Sequence, residues 1–249
     1  MAQQKDHAMT DPDYAALDIE LRSLLGLHVA PIAITFSDQA PPNIEPHDSP
    51  IPRPTPDGRT GRVPAGCVFW IHAAERTFTT VAADHGNFSV GSVTHGFKTL
   101  EEVGSNADVA ALLESGWVTM DIMPTLPVVQ KRPNFITYGP LPETPSAPDV
   151  ILLRLNARQA MVLSDAVSEL RFEGKPQCHI IPMAKEGQDV AVSVGCMLSR
   201  VRTGMSNHEM TGAIPGPHLA EVVEKLKTTS AADTLVAAYA SEDKQRFDA

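Results

Sequence analysis

The chain reads as α+β, or as α/β with a mixed sheet. Its segments suggest two similar β-α-β halves packed around one cleft, with boundaries at 13–140 and 141–249. Three observations support this. Short β-like runs alternate irregularly with helical stretches, which favours a mixed layer architecture. The apolar fraction is 43%, enough for a sizeable core in 249 residues. A cysteine, an apolar run and a Ser-Val-Gly turn occur once in each half: Cys67 with Ser89-Val90-Gly91, and Cys178 with Ser193-Val194-Gly195.

Residues 1–12 read as a frayed, disordered tail ahead of one globular domain over 13–249. Apolar positions at Tyr14, Leu17, Ile19, Leu21, Leu24 and Leu25 predict an amphipathic helix, capped by Asp11 or Asp13 and stopped by Gly26. Pro31 to Phe36 reads as a short strand. Residues 39–65 carry eight prolines, a density that rules out helix or central strand. A loop of this length is either a lid over a site or an unstructured insertion.

Cys67 to Ala74 is apolar on nearly every face, so a short buried helix is expected. Phe78 to Ala82 reads as a strand, and Asp84 to Asn87 as a turn. A helix follows over Asn106–Glu114, with Asn106 as cap and Gly116 as stop. Phe135–Tyr138 and Val150–Leu155 read as strands, and 157–170 as a helix. Val190–Val194 is a strand that runs into Gly195-Cys196. Two closing helices are expected over 217–226 and 230–247.

The net charge is -10 at pH 7, and the Lys and Arg residues form no block. Such a chain repels phosphate backbones, which argues against nucleic-acid binding. No apolar run approaches the ~20 residues of a bilayer span. No signal-peptide pattern is present. A cytoplasmic protein with no membrane role is the expectation. The closing helical segment could cap the fold or make a homo-oligomer contact.

Glycine-rich phosphate loops, Cys-x-x-Cys pairs and Gly-x-Ser-x-Gly are all absent. A site must therefore be assembled from distant segments. The three cysteines are the leading candidates. A reducing compartment leaves them as free thiols, ligands or a nucleophile, or simply as small buried apolar side chains. Cys196 follows a glycine at a strand end, and Arg200, four residues on, could lower its pKa or bind an anion. Glu209 could act as a general base or pair with Arg200. His85 and His95 lie in a glycine-containing turn region and could ligate metal or carry protons. Cys67, Cys178, Cys196 and His85 or His95 would satisfy zinc as Cys3His. Three thiolates would alternatively hold a four-iron cluster with one iron open, a Lewis acid suited to eliminating water.

Four segments carry a family resemblance. They are Leu24-Leu25-Gly26-Leu27 with Ala30 to Ile34; His85 to Gly91; Tyr138-Gly139-Pro140-Leu141 with Pro148 to Leu153; and Ser193 to Arg200 with Glu209-Met210. Together they resemble the domain-of-unknown-function 169 family, an uncharacterised prokaryotic group. The resemblance implies a cytoplasmic globular protein with recurrent cysteines at Cys67, Cys178 and Cys196. Similar proteins carry a further cysteine where this chain has Phe88, so a four-thiolate site is not available here.

The resulting expectation is a small-molecule enzyme, of lyase, hydratase or redox type, acting on an organic acid. Cys67, Cys178, Cys196 and His95 would serve as metal ligands. Cys196, Arg200, Glu209 and His85 would do the chemistry. The alternatives are a non-catalytic ligand-binding or sensor module, and a metal-free enzyme with a cysteine nucleophile.

Overall fold

The computed structural model describes residues 12–47, 66–85, 89–104, 107–116, 119–121, 123–174, 176–197, 199–200 and 205–247. Nearly all of the expected tail and most of the proline-rich loop lie outside these residues, as do Asn106 and Phe88.

Seven strands form one sheet: β1 (Ile32–Ser37), β2 (Phe78–Thr80), β3 (Phe135–Pro140), β4 (Val150–Leu155), β5 (Arg171–Glu173), β6 (Ala191–Ser193) and β7 (Met210–Pro215). Their order is β2-β3-β1-β4-β7-β6-β5. The pairings are antiparallel except for β5 with β6, so the sheet is mixed and the fold is α+β.

The register recurs on either side of the β1/β4 contact. Ile32 faces Pro140 as Val150 faces Pro215, and Phe78 faces Tyr138 as Ala191 faces Ala213. The strand ends correspond too. The Leu141 amide donates to the Pro31 carbonyl, and the Gly216 amide to the Asp149 carbonyl, each at 2.8 Å.

Helices cover both faces of the sheet. On one lie α1 (Tyr14–Leu25), α6 (Ala157–Ala166) and α8 (Leu219–Phe247). On the other lie α2 (Gly66–His72) and α7 (Ile180–Gly187). The short α3 (Ser89–Thr94), α4 (Leu100–Gly104) and α5 (Ala107–Glu114) fall between β2 and β3 in the chain. Side chains alternate across a strand. Ile151, Leu153 and Leu155 therefore enter the first core, and Val150 and Leu152 the second. Burial on both faces explains why β4 is apolar almost throughout.

Local chemistry sets the element ends. Asp13 accepts from the Ala16 amide at 3.0 Å and caps α1, and Gly26 ends it at φ 63°. Asn156 and Gln159 form a capping box at the start of α6.

Three expectations need correction. Ser89-Val90-Gly91, expected as a turn, opens the helix α3. The helix expected over 157–170 stops at Ala166, because residues 171–173 leave to pair with β6 as β5. The two closing helices are one, α8, since no glycine or proline interrupts residues 219–247. Two further elements carry no clear signal in the sequence. α7 contains Pro182, which falls in the first turn, where a missing amide hydrogen costs no helical bond. β7 contains Gly212, which a close approach demands: a Cβ there would lie 2.8 Å from a Leu155 methyl.

Candidate functional site

All three cysteines are free and buried. Cys67 and Cys178 belong to the core under α2 and α7. Cys67 is the second residue of α2, and its sulfur accepts a hydrogen bond from Gln177 Nε2 at 3.3 Å. Gln177 and Cys178 share the 3-10 turn Gln177–His179 that leads into α7. That turn sends Gln177 to Cys67 and places Cys178 beside Thr94 on α3, which offsets part of the effect of burial on the thiol. Cys196 follows Gly195, whose φ of 96° turns the chain out of β6.

The three sulfurs lie close enough to influence one another's ionisation. Burial pushes the Cys67 thiol well up, and negative charge on Cys196 or Cys178 would push it further. Burial likewise raises Cys178 to about 12. Both are neutral thiols at pH 7 and so poor nucleophiles without an added cation. Among the described residues, no three Cys, His, Asp or Glu side chains are gathered as ligands of one metal ion.

Two buried histidines stand beside this group. His95 Nδ1 lies 2.8 Å from the Gly91 carbonyl, which can only accept, so Nδ1 carries the hydrogen. Burial lowers its pKa to about 4, against the opposing effect of that hydrogen bond. The His85 tautomer follows from similar logic. Thr80 Oγ1 donates its single hydrogen to the Ile136 carbonyl at 3.1 Å. It must therefore accept from His85 Nε2–H at 3.0 Å. His85 Nδ1 is left as a bare acceptor, buried and with no partner among the described residues. Burial holds the His85 pKa well below its usual value, with the neighbouring His95 and His47 adding to the shift.

Tyr138, on β3, completes the surroundings. Its ring centre is 6.3 Å from that of His85, and its hydroxyl is buried without a partner among the described residues. Burial raises its pKa well above the usual value, and the nearby Cys67 adds to this. Gln177 Oε1 is likewise buried with no partner among the described residues. Phe69 packs against both His85 and Tyr138. Gln177, Thr94, Thr80 and Tyr138 are not among the residues that the sequence points to as functional. Gln177 and Thr94 do carry a signal, each being the immediate neighbour of a candidate, Cys178 and His95.

Arg200 and Glu209 lie away from Cys67 and Cys178, although Arg200 Nη1 reaches the Cys196 carbonyl at 3.5 Å. Arg200 Nη2 donates to the carbonyls of Val194 at 3.0 Å and Glu209 at 2.7 Å. Its guanidinium presses on Gly195, where a Cβ would lie 2.2 Å from Nη1. The Glu209 carboxylate is held by Arg154 through Nε and Nη2. Both residues line an open pocket of about 520 Å³ with Asn156, Arg158 and His208, and no cysteine lines it.

Comparison with known proteins agrees with the resemblance seen in the sequence. The model of the family described as DUF169, uncharacterised ArCR, matches residues 20–225, and the chain belongs to that family. No curated protein and no solved structure matches the chain. Among the described residues no helix is long and apolar enough to cross a membrane.

Proposed function

We propose that Cys67, Cys178 and Cys196 are the thiolate ligands of an iron–sulfur cluster, and that the protein is an enzyme that uses this centre on a small molecule. The carrying observation is that three buried thiols from three distant segments lie within electrostatic reach of one another. Left alone, Cys67 and Cys178 would have to be desolvated as thiolates to react, which burial opposes. Bound iron supplies the positive charge that makes the thiolates stable there. A cluster also spaces its ligands more widely than a single zinc ion does, which suits thiols not gathered around one point.

The chain's own residues would then have defined work. Gln177 Nε2 donates to the Cys67 sulfur; such bonds orient sulfur ligands and tune a cluster. With three thiolates, one iron has no cysteine ligand and could act as a Lewis acid, the chemistry of a lyase or hydratase. Arg200 contributes little to substrate recognition in this reading, because its guanidinium is already engaged by backbone carbonyls. Free thiols suit a reducing compartment such as the cytoplasm.

Anaerobic purification and reconstitution with iron and sulfide test the proposal. The expected product binds both elements and shows a broad visible absorption band, which Cys67→Ser, Cys178→Ser and Cys196→Ser each weaken or abolish. A folded wild-type protein that takes up neither iron nor sulfide would refute it.

A further inference from the structure

Among the described residues, the buried polar atoms on this face of the sheet that make no hydrogen bond include His85 Nδ1, the Tyr138 hydroxyl and Gln177 Oε1, with Trp70 Nε1 on the helix that carries Cys67. Buried polar groups are nearly always paired, so a group of orphans on one face calls for a partner such as a bound ligand. Their chemistry is complementary rather than uniform. His85 Nδ1 is an acceptor because its Nε2 hydrogen is committed to Thr80. Gln177 Oε1 is an acceptor, and the Tyr138 hydroxyl can donate.

The charges nearby narrow the ligand further. The described buried polar and charged side chains include no lysine or arginine. A carboxylate brought here would lose its hydration with no protein cation to replace it.

We infer that Tyr138, His85 and Gln177 form a subsite beside the cysteines for a small uncharged ligand bearing an N–H or O–H donor and a carbonyl or hydroxyl acceptor. The inference rests on the reading of this interior as the functional site, and it names the ligand class that the site takes. The donor of the ligand faces His85 Nδ1 or Gln177 Oε1, and its acceptor takes the Tyr138 hydroxyl hydrogen. Phe69, against both His85 and Tyr138, supplies an apolar wall.

Acetamide and acetate test this, because they share a shape and differ in charge and in the N–H donor. The readout is the imidazole nitrogen spectrum of histidine-labelled protein, with the His85 signals assigned by their loss in His85→Gln. Acetamide is expected to move the His85 Nδ1 signal in a saturable way. Acetate should bind about ten-fold or more weakly, and Tyr138→Phe should weaken acetamide similarly while keeping the fold, checked by circular dichroism. Acetate binding as well as acetamide would overturn the inference. So would a signal that neither probe moves, the mark of a cavity holding only water, or acetamide binding untouched in folded Tyr138→Phe. Iron and sulfide content measured on the same preparations reports on the cluster alone, so the two readings fail separately.

Discussion

The two faces of the sheet are built to opposite rules. Under α1, α6 and α8 the apolar side chains are almost all aliphatic, from Leu21 and Leu25 through Leu153 and Ile214 to Val223 and Leu226, with Asp18 Oδ1 on α1 the one orphaned polar atom among the described residues of that side. Under α2 and α7 the sheet meets aromatic rings, two thiols and, close by, fully buried histidines and an unpartnered tyrosine hydroxyl. An aliphatic core gains stability from every buried atom. A core that holds orphaned polar atoms gives some of that up, and such sacrifices concentrate at functional sites. The comparison teaches which face is scaffold and which is the better candidate for chemistry.

The sharpest way to break the comparison is a truncation on the scaffold face. Leu153→Ala, in the aliphatic core, is expected to cost about 2–5 kcal/mol in denaturant unfolding while the folded fraction keeps its capacity for iron. If Leu153→Ala abolished iron uptake by folded protein, the division of labour would be wrong.

Acid separates the faces next. A histidine held neutral in the folded state binds a proton more readily once unfolded. His95, at about 4 folded against 6.5 free, therefore adds stability that is full above pH 6.5 and lost as pH falls from 6.5 to 4. A shift of this size amounts to roughly 3 kcal/mol. His95→Gln should flatten the stability profile in that window. An unchanged slope would show that His95 is not buried as a neutral ring.

Tyr138→Phe gives a smaller effect of unusual sign. Removing an unpaired buried hydroxyl is expected to leave the ligand-free protein as stable or about 1 kcal/mol more stable. A marked loss of stability would mean the hydroxyl is already satisfied.

Gly26→Ala, on the scaffold face, should be comparably mild. Nothing lies within 4 Å of the added Cβ, so only the backbone cost at φ 63° remains, about 1 kcal/mol. Its unfolding midpoint should drop slightly, with iron uptake unaltered.

Much of the scaffold is legible in the sequence because its signals are local. The Asp13 cap, the Gly26 stop and the apolar periods of α1 and β4 each depend on residues within a few positions. The elements that escape have equally physical causes. β5 is a strand only because β6 offers it an edge, and β7 because β4 and β6 flank it. Nothing within Arg171–Glu173 or around Gly212 announces those pairings. α7 is obscured by Pro182, which looks like a helix breaker until its place in the first turn is known.

The site divides along the same line. Residue types at glycine turns point to Cys67, Cys178, Cys196, His85 and His95. Arg200 and Glu209 join them in the sequence because they follow Cys196 closely along the chain. Nearness in sequence does not fix direction in space. Beyond the turn at Gly195, Arg200 folds back onto carbonyls beside an open pocket, while Cys178 and Cys67 lie in the core.

The amino-acid order by itself determined the helix and strand periods, the caps and the presence of thiols and imidazoles, since these depend on bonds and contacts between near neighbours. Only the tertiary structure decided that Gln177 reaches Cys67 and that Thr80 fixes the His85 tautomer. Those facts belong to the registry of β2 against β3 and to the packing of α2 against the turn before α7. Pairings between segments so far apart leave no trace in either segment alone.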